Sequence, residues 1–377
     1  MKTAKITPLL AALILFPALF AAAQTAPQGA AKPAVKKMAA KPGAKRPVKK
    51  PGAKPGVAVS TGTIKGAKPA VAQKPAAAAV AQSTAAAGTP FDAALQKLSS
   101  KDPSLRRQGA DALAQLRDQK AAPALLKALG DEAAPVRASA VDGLCQLAYR
   151  LATAKIAGIL TADKDAIVRQ QAASSLSYMS DPSAGPALVK ALRDDAMAVR
   201  YAAANTLGAM KYAQAEDDLI SLLKDQSMRR VAISALGQLQ SKKAAPAIFS
   251  ALSDQDKYTR LEAVRALGAI GDKSAAPELE KKLDKAEDPS VRVESALALA
   301  RMGSNAGLVT SYEFVKSPDI SLKNQAMDVI ATVGDNRSLQ FIEELYNAEK
   351  DPVSKGMLDF TRQRLMARQK MEQQKKP

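Results

Sequence analysis

Between residues 90 and 365 apolar side chains recur at helical spacing, and the pattern itself returns about every 31 residues. One basic residue marks each return: Arg106, Arg137, Arg169, Arg200, Arg229, Arg260, Arg292, Lys323 and Lys355, with steps of 31, 32, 31, 29, 31, 32, 31 and 32 residues. Seven positions after it stand Leu113, Leu144, Leu176, Leu207, Leu236, Leu267, Leu299 and Ile330. Eight positions after it the residue is small: Ala114, Cys145, Ser177, Gly208, Gly237, Gly268, Ala300 and Ala331. Three after it come Ala140, Ala172, Ala203, Ala232, Ala263 and Ala326. Offsets of three, seven and ten share one face of a 3.6-residue helix, so the spacing predicts a buried face that lets a neighbouring helix approach closely.

Start signals frame each helix. Four positions before the basic residue lies an acid in seven units, Asp102, Asp165, Asp225, Asp256, Asp288, Asp319 and Asp351, followed at once by Pro103, Pro289 or Pro352 in three of them. An Asp accepts the orphan N–H groups of a first turn, and Pro fits the first helical position. A second start follows at Pro123, Pro186, Pro246 and Pro277, with apolar residues such as Leu125, Leu129, Leu279 and Leu283 behind it. Two short helices per unit predict an all-α fold, an α-solenoid of about nine two-helix repeats over residues 90–365.

These residues resemble the HEAT-like repeats, in the bacterial form first named from phycobilisome lyase subunits. The matching stretches are Asp288-Pro289-Ser290-Val291-Arg292 and Arg265-Ala266-Leu267-Gly268. The resemblance implies a hydrogen-bonded ladder between adjacent units, which by position would use Asp102 and Arg106, Asp165 and Arg169, Asp225 and Arg229, Asp256 and Arg260, and Asp288 and Arg292. Arg362 stands where Leu is expected in the ninth unit, and Ser304–Lys316 lacks the Pro signal, so the C-terminal third is expected to be less regular. A polar last unit also suits a cap, since one face of a terminal repeat meets water.

Outside the repeats the composition changes. Residues 1–23, with Lys2 and Lys5, an apolar run from Ile6 to Phe20 and Ala21-Ala22-Ala23, have the layout of a cleaved signal peptide, the alternative being a retained anchor. Residues 24–89 are nearly all Ala, Lys, Pro, Gly and Val, which predicts a disordered basic linker. Residues 366–377 are expected to be a basic C-terminal tail that frays. Charge follows the same division: 14 basic and no acidic residues over 1–90, 35 of each over 91–361, and six against one over 362–377, which together give the net +19. The basic arm should be drawn to anionic surfaces, whether cell-wall polymer, lipid headgroups or nucleic acid.

Side-chain chemistry is sparse. No histidine occurs, and a single cysteine, Cys145, permits neither a disulfide nor a thiolate metal site within the chain. Cys145 takes a packing slot that Gly fills in other units. The acids Asp194-Asp195 and Glu216-Asp217-Asp218 fall at a loop and a helix start, where carboxylates are favoured without catalysis. Neither a cofactor nor a metal is expected, and the reading is non-enzymatic. Lyase-type and glycosylase-type repeat enzymes are the enzymatic alternatives; the leader argues against the first, and the neutral repeats without Trp argue against the second.

What remains is a surface. The resemblance places the helix that starts at the basic residue on the concave wall, with outward positions Gln108, Gln115, Gln146, Gln171, Tyr178, Tyr201, Asn205, Gln238, Glu262, Arg265 and Arg301. An amide-rich stripe with Tyr178 and Tyr201 one unit apart suits an extended peptide or a protein partner. The function expected is thus an exported interaction scaffold of the bacterial envelope, periplasmic or secreted. The alternative is an anion-binding tether that works through the arm.

Overall fold

The structure, a computed structural model, describes residues 88–374. The leader expected over 1–23 and all but the last two residues of the expected linker lie outside them. The described residues form eighteen α-helices and no strand, arranged as nine successive hairpins. In chain order these are α1 (Pro90–Leu98) with α2 (Pro103–Gln115), α3 (Ala122–Ala128) with α4 (Ala134–Gln146), and α5 (Thr153–Ala162) with α6 (Ala166–Met179). Then come α7 (Gly185–Ala191) with α8 (Met197–Ala209), α9 (Glu216–Leu222) with α10 (Arg229–Leu239), and α11 (Ala245–Ile248) with α12 (Lys257–Ile270). The last three are α13 (Ala276–Lys281) with α14 (Pro289–Arg301), α15 (Leu308–Phe314) with α16 (Ile320–Val333), and α17 (Asn336–Ala348) with α18 (Pro352–Gln374).

The second member of each hairpin carries the recurring basic residue and is called the anchor helix. Its start is chemically marked. Asp102, Asp165, Asp256, Asp288 and Asp319 are N-caps whose carboxylates accept from backbone N–H groups of the first turn, for example Ser104 and Ile167 at 2.8 Å. Each such cap contributes about 1 kcal/mol. Pro123, Pro186, Pro246 and Pro277 sit at the first or second position of the shorter helices α3, α7, α11 and α13, as their spacing predicts.

Each anchor helix packs on the next from α2 to α18, and this layer positions the surface discussed below. Leu113, Leu144, Leu176, Leu207, Leu236 and Leu267 are fully buried, each contributing about 2 kcal/mol by leaving water. Where anchor helices meet, the small residue eight positions after the basic residue touches the one six positions after it in the following unit. A Cβ on Gly237 would stand 2.8 Å from Ala266 Cα, and one on Gly268 would stand 2.8 Å from Ala298 Cβ. Successive anchor helices therefore run in step and nearly touch at the backbone.

The C-terminal end does differ. One hydrophobic cluster runs from Ala94 to Met302, and separate clusters gather around Val329 and around Ile330, Ile342 and Leu365. Arg362, in the Leu slot, is only half-buried; its guanidinium lies 4.7 Å from the Tyr346 ring and donates to Asp359. The tail expected over 366–377 is helical as far as Gln374, and its last three residues lie outside the described ones. Helix α18 is held there by its own buried Leu365 and by Arg368, which donates to the carbonyls of Ala331 and Gly334. No helix among the described residues is long and apolar enough to cross a membrane.

Candidate functional site

Two features recur along the anchor helices, an arginine ladder at their N-terminal ends and an outward polar face. In the ladder, six of these arginines reach an acid ahead of the next anchor helix, in the connecting loop for five of them and on α15 for Arg292, while Arg200 donates back to the carbonyls of Asp194 and Asp195. Arg106 donates to both carboxylate oxygens of Asp131 at 2.7 and 2.9 Å, Arg137 to those of Asp163 at 2.7 and 2.8 Å, and Arg169 to those of Asp194 at 2.8 Å each. Arg229 meets Asp254 at 2.8 Å, Arg260 meets Glu287 at 3.0 Å, and Arg292 meets Glu313 at 2.8 Å. The free edge of the guanidinium turns back to carbonyls of the preceding loop, as Arg137 does to Asp131 and Glu132. Consecutive loops are thereby tied through one side chain.

The acids expected in this ladder are the wrong ones. Asp102, Asp165, Asp256 and Asp288 are occupied capping their own helices, and Asp225 accepts from Ser227. The true partners lie about two residues earlier, where Asp131, Asp163, Asp194 and Asp254 each also accept a backbone N–H from two residues on. A second acidic row at that spacing was present in the sequence and would have revealed them. Hydrogen bonding from Arg106 holds the Asp131 carboxyl below the usual range. Burial pushes Asp163 up, but the Arg137 guanidinium and the Asp165 N–H outweigh it and leave that carboxyl low as well.

On the outward face, Gln108, Gln115, Gln146, Tyr178, Asn205, Gln238 and Arg265 are exposed, while Gln171 and Tyr201 are half-buried. Tyr178 is 68% exposed, whereas the Tyr201 hydroxyl donates to the Ser227 carbonyl and the ring packs against the core. These tyrosines are not neighbours. Tyr178 lies near the end of α6 and Tyr201 near the start of α8, eight positions apart in register on helices that run in step, which separates them by about 12 Å along the axis.

Three polar residues on this face were missed. Asp142 accepts from Gln146, Gln171 and Ser175, and Glu294 accepts from Arg265 and Gln325. Asp111 and Asp142 both stand five positions after their arginines, an outward offset, and they line a groove of about 300 Å³ between α2, α4 and α6. The same register that placed the glutamines would have placed these acids.

The HEAT repeats family matches residues 72–145, 91–177, 153–229 and 216–299, together more than half of the chain. No curated protein matches. Among solved structures, the complex of CpcE and CpcF of phycocyanin lyase from Nostoc sp. PCC7120 is 25% identical over 69% of this chain and 98% of that one, with a TM-score of 0.40. Human deoxyhypusine hydroxylase in complex with glycerol is 21% identical over 64% and 95%, with a TM-score of 0.30. An engineered protein is 20% identical over 74% and 88%, with a TM-score of 0.44. With nine stacked hairpins, an arginine in register and the family's own profile matched in four overlapping spans, the chain belongs to the HEAT repeat family.

Proposed function

We propose that this protein is a non-enzymatic scaffold of the bacterial cell envelope that binds a partner protein or extended peptide along the outward face of its anchor helices. The observation that carries the reading is the face itself: the amides of Gln108, Gln115, Gln146, Asn205 and Gln238 and the Tyr178 ring stand in the open on helices tied by the ladder. Rigid helices present such groups with little ordering cost on binding, which favours an extended ligand over a small one. Export rests on the leader-like residues 1–23, and the partner is then an envelope or secreted protein.

A second reading is favoured by the charge division. Twelve basic and no acidic residues over 24–89 would let the arm act as a tether to anionic polymer, lipid headgroups or nucleic acid, with the repeats as cargo holder. Deleting residues 24–89 separates the two. Partner capture that survives the deletion and loses its salt dependence supports the repeats as the binding part, and complete loss supports the tether. Capture by the Tyr178→Ala/Asn205→Ala variant should fall at least several-fold; unchanged capture would discard the face.

A further inference from the structure

The groove between α2, α4 and α6 differs from the rest of the face. Its lining is partly apolar, with Pro135, Ala138 and the Ile167 side chain, which is 69% exposed. Its walls carry the carboxylates of Asp111, Asp142 and Asp165, against one cation, Arg107. We infer that this groove is a specificity pocket for a single lysine or arginine side chain of the partner's extended segment, an inference that rests on the scaffold reading.

Both halves of such a side chain are matched. The methylene stem covers Pro135, Ala138 and Ile167, and the charged head comes to rest between Asp111 and Asp142. Asp142 is already oriented, since Gln171 and Ser175 donate to its Oδ1 at 3.1 and 3.0 Å and Gln146 donates to Oδ2. A carboxylate held this way loses little freedom when a cation arrives. Asp165 adds charge at the rim while its own oxygen caps α6. A volume of about 300 Å³ accepts one long side chain, while a folded domain could only lie across the opening. The corresponding offset elsewhere is Ser174, Asn205, Ser234, Arg265, Leu297, Asp328 and Phe360, and Asp328 already accepts from Arg364, so adjacent acids at this offset occur only in the first two units and fix where along the face a basic residue must sit.

The test uses the full chain and labelled ten-residue peptides of Ala, Ser and Pro with one central Lys, Arg or Gln, followed by fluorescence anisotropy at low salt. Lys and Arg peptides should bind about tenfold more tightly than the Gln peptide, the gain expected of one well-placed charge pair. Asp111→Asn/Asp142→Asn should erase that difference, and Arg107→Glu, which removes the competing cation at an exposed position, should enlarge it. The second variant guards against misfolding, because an unfolded groove cannot gain selectivity. Equal binding of all three peptides, or selectivity untouched by the variants, overturns the pocket and leaves the scaffold reading in place. Binding of none also overturns it, and crosslinking in intact cells then decides separately whether the scaffold reading stands.

Discussion

Gly208 lies so close to Ala235 that a Cβ built on it would be 2.7 Å from the Ala235 Cα, a separation that real side chains do not reach. The contact joins α8 to α10, and its equivalents join α10 to α12 and α12 to α14. Since the obstructing atom is backbone, Gly208→Ala must push two helices apart. The expected loss is about 2 kcal/mol in chemical denaturation. Gly158, an exposed position inside α5 with nothing near its missing Cβ, provides the contrast: Gly158→Ala should gain about 0.5 to 1 kcal/mol.

Arg137 and Asp163 form the most enclosed rung of the ladder, with side chains 8% and 7% exposed. Arg137→Ala strands the carboxylate and should cost about 3 kcal/mol. The pH dependence follows from the low carboxyl of folded Asp163. As acid is added the unfolded chain takes up its proton first, near pH 4, so the rung's contribution is complete above about pH 5 and drains away as pH falls through the folded value. Denaturation midpoints measured from pH 7 down to pH 3 should therefore converge between the native protein and Arg137→Ala. Curves that stay parallel would remove the ladder from the stability account.

Cys145 is 1% exposed at the packing slot that Gly208 and Gly237 fill in later units. Burial, with the Asp142 carboxylate adding to it, pushes the thiol up to about 12. At pH 8 the folded protein should react with a thiol reagent about a hundred-fold or more slowly than the urea-unfolded chain. Equal rates would mean an accessible thiolate and reopen a reactive role for this residue.

The repeat architecture was legible because it is written in one-dimensional spacing. A basic residue, a leucine seven positions on and a proline seventeen positions on each depend on local geometry, and local geometry is what sequence periodicity encodes. The glycines were legible as packing residues too, but their partners, such as Ala235 and Ala266, belong to the next unit and leave no local signal. The ladder was half legible. Its arginines stand out, whereas two acidic rows two residues apart compete for them, and only the fold shows that the N-cap row is already engaged by its own helix ends. The pairing of Tyr178 with Tyr201 failed for a related reason. Adjacent units are neighbours only where their registers agree, and eight positions of register carry a side chain about 12 Å along a helix.

The face itself is the central claim, and site-specific photo-crosslinking in intact cells tests it most directly. A crosslinkable residue placed at Tyr178, outward on α6, is compared with one at Lys155, exposed on α5 in the other helical layer. The account predicts one discrete partner adduct from position 178 and little from position 155. The same adduct from both positions, or an adduct from position 155 alone, would contradict it.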